Sequence, residues 1–77
     1  MDKTIREHDS VVLLRDLPDE NLVAGETGVV VYVYGNAQAY EVQFPNPAGT
    51  PRYLVATIEA RDLLKLHPRS RSGRAAS

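Results

Sequence analysis

The stretch Gly28-Val-Val-Val-Tyr-Val-Tyr-Gly-Asn-Ala-Gln-Ala-Tyr-Glu-Val-Gln-Phe44 decides the fold. After Gly28, residues 29–34 are all β-branched or aromatic, the composition of a packed strand. Residues 39–44 alternate between apolar and polar side chains, with the two-residue period of a half-buried strand. Gly35 and Asn36 tolerate positive φ values, so the residues between the two runs predict a tight turn. The whole stretch therefore predicts an antiparallel hairpin.

Two further strands are predicted on either side of this hairpin. Residues 11–14 are apolar and end at a polar turn that contains Pro18, which favours a strand over a helix. Residues 52–58 predict another strand, whose side chains alternate between two faces. One face carries Leu54, Ala56 and Ile58, and the other carries Tyr53, Val55 and Thr57.

The end of the chain completes the predicted architecture. Residues 59–63 suit a single helical or 3₁₀ turn, and residues 64–67 predict a brief closing strand that ends at Pro68. The sequence thus predicts an all-β fold, a small five-stranded SH3-like barrel with one helical or 3₁₀ turn before the last strand. Closing the sheet would remove its exposed edges.

The length of 77 residues allows one domain. Residues 1–8 are polar and predict a frayed N-terminal segment with Ile5 as its only anchor. Residues 9–67 form the predicted barrel. After Pro68 no apolar side chain is larger than alanine, and residues 68–77 predict a disordered basic tail.

Composition excludes several classes of protein. The chain has no cysteine, so a disulfide framework and a thiolate metal site are excluded. No apolar run approaches the roughly 20 residues that cross a bilayer, and the N-terminus has no apolar signal region. We therefore expect a cytoplasmic protein. Without the basic tail, residues 1–68 carry six basic and ten acidic side chains, a balance that disfavours nucleic acid as a partner.

No group of residues predicts catalysis, a cofactor or a metal. His8 and His67 lie near opposite ends of the chain and are expected to be solvated rather than metal ligands. His8, Asp9 and Ser10 are consecutive in sequence. The three residues of a catalytic triad converge in space from a rigid frame, so this run does not predict one. Gly25 and Gly28 are explained by turn chemistry, because no lysine and no following helix complete a phosphate loop.

The tyrosines are the candidate binding residues. If Val29, Val31 and Val33 face the core, then Val30, Tyr32 and Tyr34 point the other way, and Tyr53 is expected near them. Exposed tyrosines beside an acidic loop are typical of a groove that binds a partner. The predicted partner-binding residues are Tyr32, Tyr34, Tyr53, Asp16, Asp19 and Glu20. The alternatives are packing on both faces of the strand and a dimer interface.

Several motifs resemble a small bacterial family of domains of unknown function. These are Asp9-Ser-Val-Val-Leu13, Asp16-Leu-Pro18, Leu22-Val-Ala-Gly-Glu-Thr-Gly-Val-Val30, Ala39-Tyr-Glu-Val-Gln-Phe44 and Thr57-Ile58. The resemblance covers about residues 5–66. It implies an SH3-like barrel in short bacterial proteins, some encoded near mobile or toxin-linked genes. It supplies no catalytic residue, and Gln43 stands where many members have an acid.

The sequence therefore predicts a non-enzymatic interaction module that binds a partner protein, with an accessory or antitoxin-like role as one form. The alternative is a nucleic-acid-binding small barrel. Both a monomer and a homodimer are compatible with the sequence, and an enzyme ranks last among these interpretations.

Overall fold

The computed structural model describes residues 4–66, and this part of the chain is all-β. Its five strands are β1 (Ser10–Leu13), β2 (Thr27–Tyr34), β3 (Ala39–Pro45), β4 (Tyr53–Glu59) and β5 (Leu63–Lys65). Two 3₁₀ turns, at Pro18–Glu20 and Ala60–Asp62, complete the regular elements. The prediction of an all-β fold with five strands and a turn before the last is confirmed.

The strands form one antiparallel sheet in the order β4-β3-β2-β1-β5. Within residues 4–66 the edge strands β4 and β5 do not pair with each other, so the predicted closure into a barrel is wrong. The turn between them explains why. Its first N–H, that of Ala60, donates to the carbonyl of Gln38 at 3.0 Å, and the carbonyl of Asp62 accepts from the N–H of Leu14 at 2.8 Å. The turn is thus bonded to the β2–β3 turn at one end and to the residue after β1 at the other, and it connects β4 to β5 across the open side of the sheet.

The core lies on one face of the sheet. Its largest fully buried side chains are Phe44, Leu13, Leu22, Ile58, Val11, Val30 and Val42. The two faces predicted for β4 are confirmed, because Ala56 and Ile58 are buried whereas Tyr53, Val55 and Thr57 are exposed. Packing one face alone suits so short a chain, whose buried fraction is small.

β2 does not alternate as predicted. Its pairing with β3 shifts between Val30 and Tyr32, which is the signature of a β-bulge. Before the bulge, Val30 is buried and Val29 is exposed, the reverse of the prediction, and Val31 in the bulge is exposed too. After this extra residue the side chains lie on the predicted faces again, so Tyr32 and Tyr34 do point away from the core.

Gly28 is not a turn residue, which corrects the interpretation of the two glycines. It is buried within β2, and a Cβ atom there would lie 2.7 Å from the carbonyl oxygen of Gln43 and 2.8 Å from Cγ1 of Val42. The close approach of β2 to β3 therefore requires glycine. Gly25, with a φ of +94°, is the turn residue.

The hairpin turn also differs from the prediction in one position. Gly35 has the expected positive φ, at +53°, but the second left-handed residue is Ala37, with a φ of +64°, and not Asn36. The N–H of Ala37 donates to the carbonyl of Tyr34 at 3.1 Å, and this bond closes the turn.

The N-terminal segment lies against the sheet. Ile5, the predicted anchor, is buried in the core. The N–H of His8 donates to the carbonyl of Val30 at 2.7 Å, and Nζ of Lys65 donates to the carbonyl of Thr4 at 3.1 Å. Residues 1–3, His67 and the predicted tail at 68–77 lie outside the described residues.

One buried carboxylate holds the second 3₁₀ turn. Asp62 is buried, and its Oδ1 accepts from Nε of Arg15 at 2.9 Å. The guanidinium itself is largely exposed. Because a buried carboxylate without a partner is costly, this ion pair fixes the turn beside the end of β1.

Candidate functional site

The candidate site lies on the face of the sheet that points away from the core, here called the outer face. Pairing of β2 with β3, and of β3 with β4, places Tyr32, Glu41 and Thr57 in one row across the three strands. The next row contains Tyr34 on β2. The side chains of Tyr32 and Tyr34 are 51% and 39% exposed. The outer face of these strands therefore carries large aromatic side chains that the core does not use.

Tyr32 and Tyr34 contact each other. They are two residues apart on an extended strand, so their rings lie on the same face. The ring centroids are 4.8 Å apart and the ring planes make an angle of 71°, an edge-to-face arrangement. This geometry is the favourable one for an aromatic pair, and it holds both rings in defined positions.

A polar pair lies beside the rings. Oγ1 of Thr57 donates to Oε1 of Glu41 at 2.6 Å, and the Glu41 carboxylate lies close enough to the Tyr34 hydroxyl to shift its pKa. We call Tyr32, Tyr34, Glu41 and Thr57 the tyrosine cluster. It combines an apolar surface with an oriented carboxylate, and this combination suits binding.

The contact with Glu41 changes the acidity of Tyr34. The hydrogen bond to Glu41 raises the pKa of Tyr34, partial desolvation and the charge of the carboxylate raise it further, and Thr57 opposes the shift. Because the folded-state pKa lies above the unfolded value of about 10, the associated stability is fully present below that pH. It is lost as the pH rises through the folded-state pKa.

Replacing Glu41 by glutamine is expected to lower the pKa of Tyr34 towards the ordinary value, because the carboxylate charge is removed. NMR titration of the Tyr34 Cζ resonance measures this change. Tyr40 serves as the internal control, since burial and then the charge of Asp9 raise its pKa and neither depends on Glu41. An unchanged Tyr34 titration in Glu41→Gln would contradict the assigned contact.

Tyr53 lies on the same face but not in the cluster. It starts β4 opposite Pro45, at one end of β3, whereas Tyr34 is opposite Ala39 at the other end. Six residues of extended strand separate these two β3 positions, about 20 Å at roughly 3.3 Å per residue. The structure therefore does not bring Tyr53 together with Tyr34.

The predicted acidic residues lie in the loop between β1 and β2. This loop enters β2 at Thr27, the opposite end of the strand from Tyr32 and Tyr34. Oδ1 of Asp16 accepts from the N–H of Ala24 at 2.8 Å and so orders the loop.

The other two predicted acids, Asp19 and Glu20, are exposed in the first 3₁₀ turn. The acidic neighbour of the tyrosine pair is instead Glu41. The alternation of residues 39–44 predicts that Glu41 points away from the core, but no local pattern connects it with Tyr34.

Within residues 4–66, no three histidine, cysteine, aspartate or glutamate side chains lie close enough to hold a metal ion. His8 is exposed, and His67 lies outside this range, so the relation between the two histidines stays a prediction. Among the same residues no helix has the length and apolar character needed to cross a bilayer.

A groove of about 580 Å³ opens on the core side, where the sheet does not close. Its lining includes the apolar side chains of Ile5, Tyr40 and Leu63 and also Lys65. Nζ of Lys65 is 3.3 Å from Oδ2 of Asp9. The cation is therefore paired with a carboxylate of the same chain. No local pattern in the sequence predicts this groove, because it follows from the incomplete closure of the sheet.

A family model for a domain of unknown function, DUF4926, matches residues 7–65, which include all five strands. Comparison with curated proteins and with solved structures found no match. The match spans more than half of the 77 residues and agrees with the resemblance to a family of this kind. The chain belongs to the DUF4926 family of domains of unknown function.

Proposed function

We propose that this protein is a non-enzymatic interaction module that binds a partner protein through the tyrosine cluster of its outer face. One observation carries the proposal: Tyr32 and Tyr34 are exposed and hold each other in place, while the core is complete without them. Tyrosine is enriched among the residues that dominate binding energy, because it combines a large apolar ring with a polar hydroxyl.

The charge of the cluster favours a basic partner. Glu41 presents a carboxylate beside two aromatic rings, and residues 4–66 carry nine acidic and five basic side chains. An arginine can stack on a tyrosine ring and donate to a carboxylate at once, which lysine does less well. The partner surface we infer is therefore an arginine-bearing, partly apolar segment.

The family resemblance supports the finer points of this proposal. The meander β2-β3-β4, with β1 between β2 and β5, is compatible with an open variant of an SH3-like barrel. A bacterial, cytoplasmic protein with an accessory or antitoxin-like role is the biological setting that the resemblance implies.

The basic side chains give little support to the nucleic-acid alternative. Arg15, Arg61 and Lys65 each form an ion pair with a carboxylate of the same chain, with Asp62, Glu59 and Asp9 respectively. These cations are already neutralised locally, so phosphate contacts would have to compete with the existing pairs.

Affinity purification from the source cell tests the proposal with the double variant Tyr32→Thr/Tyr34→Thr. Threonine keeps the strand propensity and removes the rings. We expect the double variant to retain the partner at least about tenfold less well than the wild type.

Tyr53→Thr is the matched control, because it removes an exposed tyrosine from the same face outside the cluster. We expect it to retain the partner as well as the wild type does. Equal retention by the double variant, or no protein retained specifically by the wild type, would refute the proposal.

A further inference from the structure

β4 forms an open edge of the sheet. It pairs with β3 through seven consecutive residue pairs, from Ala39 and Glu59 to Pro45 and Tyr53, without a register shift. On its other side, no strand within residues 4–66 pairs with it. A complete row of backbone groups is therefore available for another strand.

The hydrogen bonds at the two ends of β4 show which groups face outwards. The N–H of Asn46 donates to the carbonyl of Arg52 at 2.8 Å, and the N–H of Ala60 donates to the carbonyl of Gln38 at 3.0 Å. In an antiparallel ladder, hydrogen-bonded residues alternate along the strand. The even-numbered residues therefore bond to β3, and those whose N–H and C=O groups point to the open edge are Tyr53, Val55, Thr57 and Glu59.

Most of this edge lacks the features that usually prevent pairing between sheets. Proteins protect such edges with charged side chains, lysine above all, or with proline, a bulge or a very short strand. The charged side chain of β4 is that of Glu59, its last residue. β4 is seven residues long, contains neither proline nor lysine, and has a regular register. The other edge strand, β5, has three residues and carries Lys65. The contrast indicates that β4 is built to receive a strand.

We propose that two copies of this chain associate by antiparallel pairing of β4 with β4, around a two-fold axis at Ala56. In this register Tyr53 is opposite the partner's Glu59, and Val55 is opposite the partner's Thr57. All four outward residues of each copy are then hydrogen-bonded. The two sheets join into one of ten strands, and a two-fold contact of this kind closes on itself.

Neighbouring registers are less favourable. Moving the axis to Val55 would place Glu59 opposite Pro51, which has no N–H to donate. Moving it to Thr57 would place Tyr53 opposite Arg61, which lies in the 3₁₀ turn and not in a strand. The register around Ala56 is therefore the one that uses the whole strand.

The charges at the ends of the strand favour a second copy in this orientation. β4 follows Arg52 and ends at Glu59. Glu59 already forms an ion pair with Arg61 of the same chain. Parallel pairing would bring two Glu59 side chains, and two Arg52 side chains, next to each other, and like charges on neighbouring strands are destabilising. Antiparallel pairing places the basic start of each strand next to the end that carries Glu59 and so avoids this repulsion.

Amide hydrogen exchange of the intact chain, measured by NMR at millimolar and low micromolar concentration, tests the proposal. We expect the amides of Tyr53, Val55, Thr57 and Glu59 to exchange at least about tenfold more slowly at the higher concentration. The amides of Leu54, Ala56 and Ile58 should be protected at both, because they bond to β3.

Two results of the exchange experiment would overturn the proposal. Fast exchange of the four outward amides at millimolar concentration would show an unoccupied edge. Slow exchange at every dilution, together with a mass of 8.5 kDa in sedimentation equilibrium, would show that another part of the same chain covers the edge. Sedimentation equilibrium should agree with the expected result, giving twice the monomer mass of 8.5 kDa.

Variants at Val55 give an independent test. Val55→Pro removes an N–H that β3 does not use, and Val55→Lys adds a charge at the edge while keeping the backbone intact. Both are expected to weaken dimerisation by at least about tenfold. Val55→Lys keeps the test valid even if Val55→Pro unfolds the strand.

Val29→Lys is the matched control. Val29 on β2 and Val55 on β4 both pair with Gln43 on β3, but Val29 lies inside the sheet and not at its edge. It should dimerise like the wild type. A dimer that survives both Val55 variants would refute pairing through β4.

Discussion

Phe44→Ala is expected to lower the free energy of unfolding by about 3–5 kcal/mol. Phe44 lies in β3 with no exposed surface and is the largest of the fully buried side chains. Truncation removes its buried apolar surface and leaves a cavity that a thin core cannot refill. Urea denaturation monitored by circular dichroism measures the loss.

Two controls accompany this variant. Phe44→Leu keeps most of the volume and should cost less than about 1.5 kcal/mol, which keeps the test usable if the alanine variant does not fold. Tyr53→Ala removes an exposed ring from the outer face and should have a small effect. If Phe44→Ala were no more costly than Tyr53→Ala, the core would not lie where the structure puts it.

Gly28→Ala is expected to destabilise the fold by about 1–3 kcal/mol, the usual cost of overpacking. The new Cβ would lie 2.7 Å from a backbone oxygen of β3 and 3.0 Å from Cδ1 of Phe44. Neither atom is the end of a flexible side chain, so the strands themselves must move apart.

The sign of this effect is diagnostic. Alanine in place of glycine in an ordinary strand interior is favourable by roughly 0.5–1 kcal/mol. Val29→Ala, at the next and exposed position, provides the control for a change within β2. A Gly28→Ala protein as stable as the wild type in thermal denaturation would contradict the close contact between β2 and β3.

The sequence predicts the parts of the fold that depend on alternation. Residues 40–44 and 53–58 alternate clearly, because one face of each strand is buried and the other is exposed. A one-residue error would put every side chain on the wrong face, so such strands specify their register strongly. The faces of β4 follow directly from this pattern.

The β2 side chains that face the core could not be predicted, because β2 lacks such an alternation. Residues 29–34 are all apolar or aromatic, so no polar residue marks the outer face. The bulge at Val31 then inverts the alternation within a single run. The orientation of Tyr32 and Tyr34 agrees with the prediction only because the bulge lies before them.

Features that depend on contacts between distant residues are also absent from local patterns. The open side of the sheet depends on the hydrogen-bond partners of the turn at Ala60–Asp62. No local pattern indicates that Asp62 is buried and forms an ion pair with Arg15. The same holds for the candidate site. The contact between Tyr34 and Glu41 requires the register of β2 with β3, which no local pattern specifies.

The inner face of the sheet stabilises the fold, and the outer face is left for binding. The free energy of unfolding of Tyr32→Thr/Tyr34→Thr, compared with that of the wild type, tests this most directly. We predict a smaller loss than for Phe44→Ala, because Tyr32 and Tyr34 are 51% and 39% exposed and their contact adds about 0.5–1.5 kcal/mol beyond its burial. A loss as large as that of Phe44→Ala would show that the two tyrosines are part of the packing, and would contradict the account.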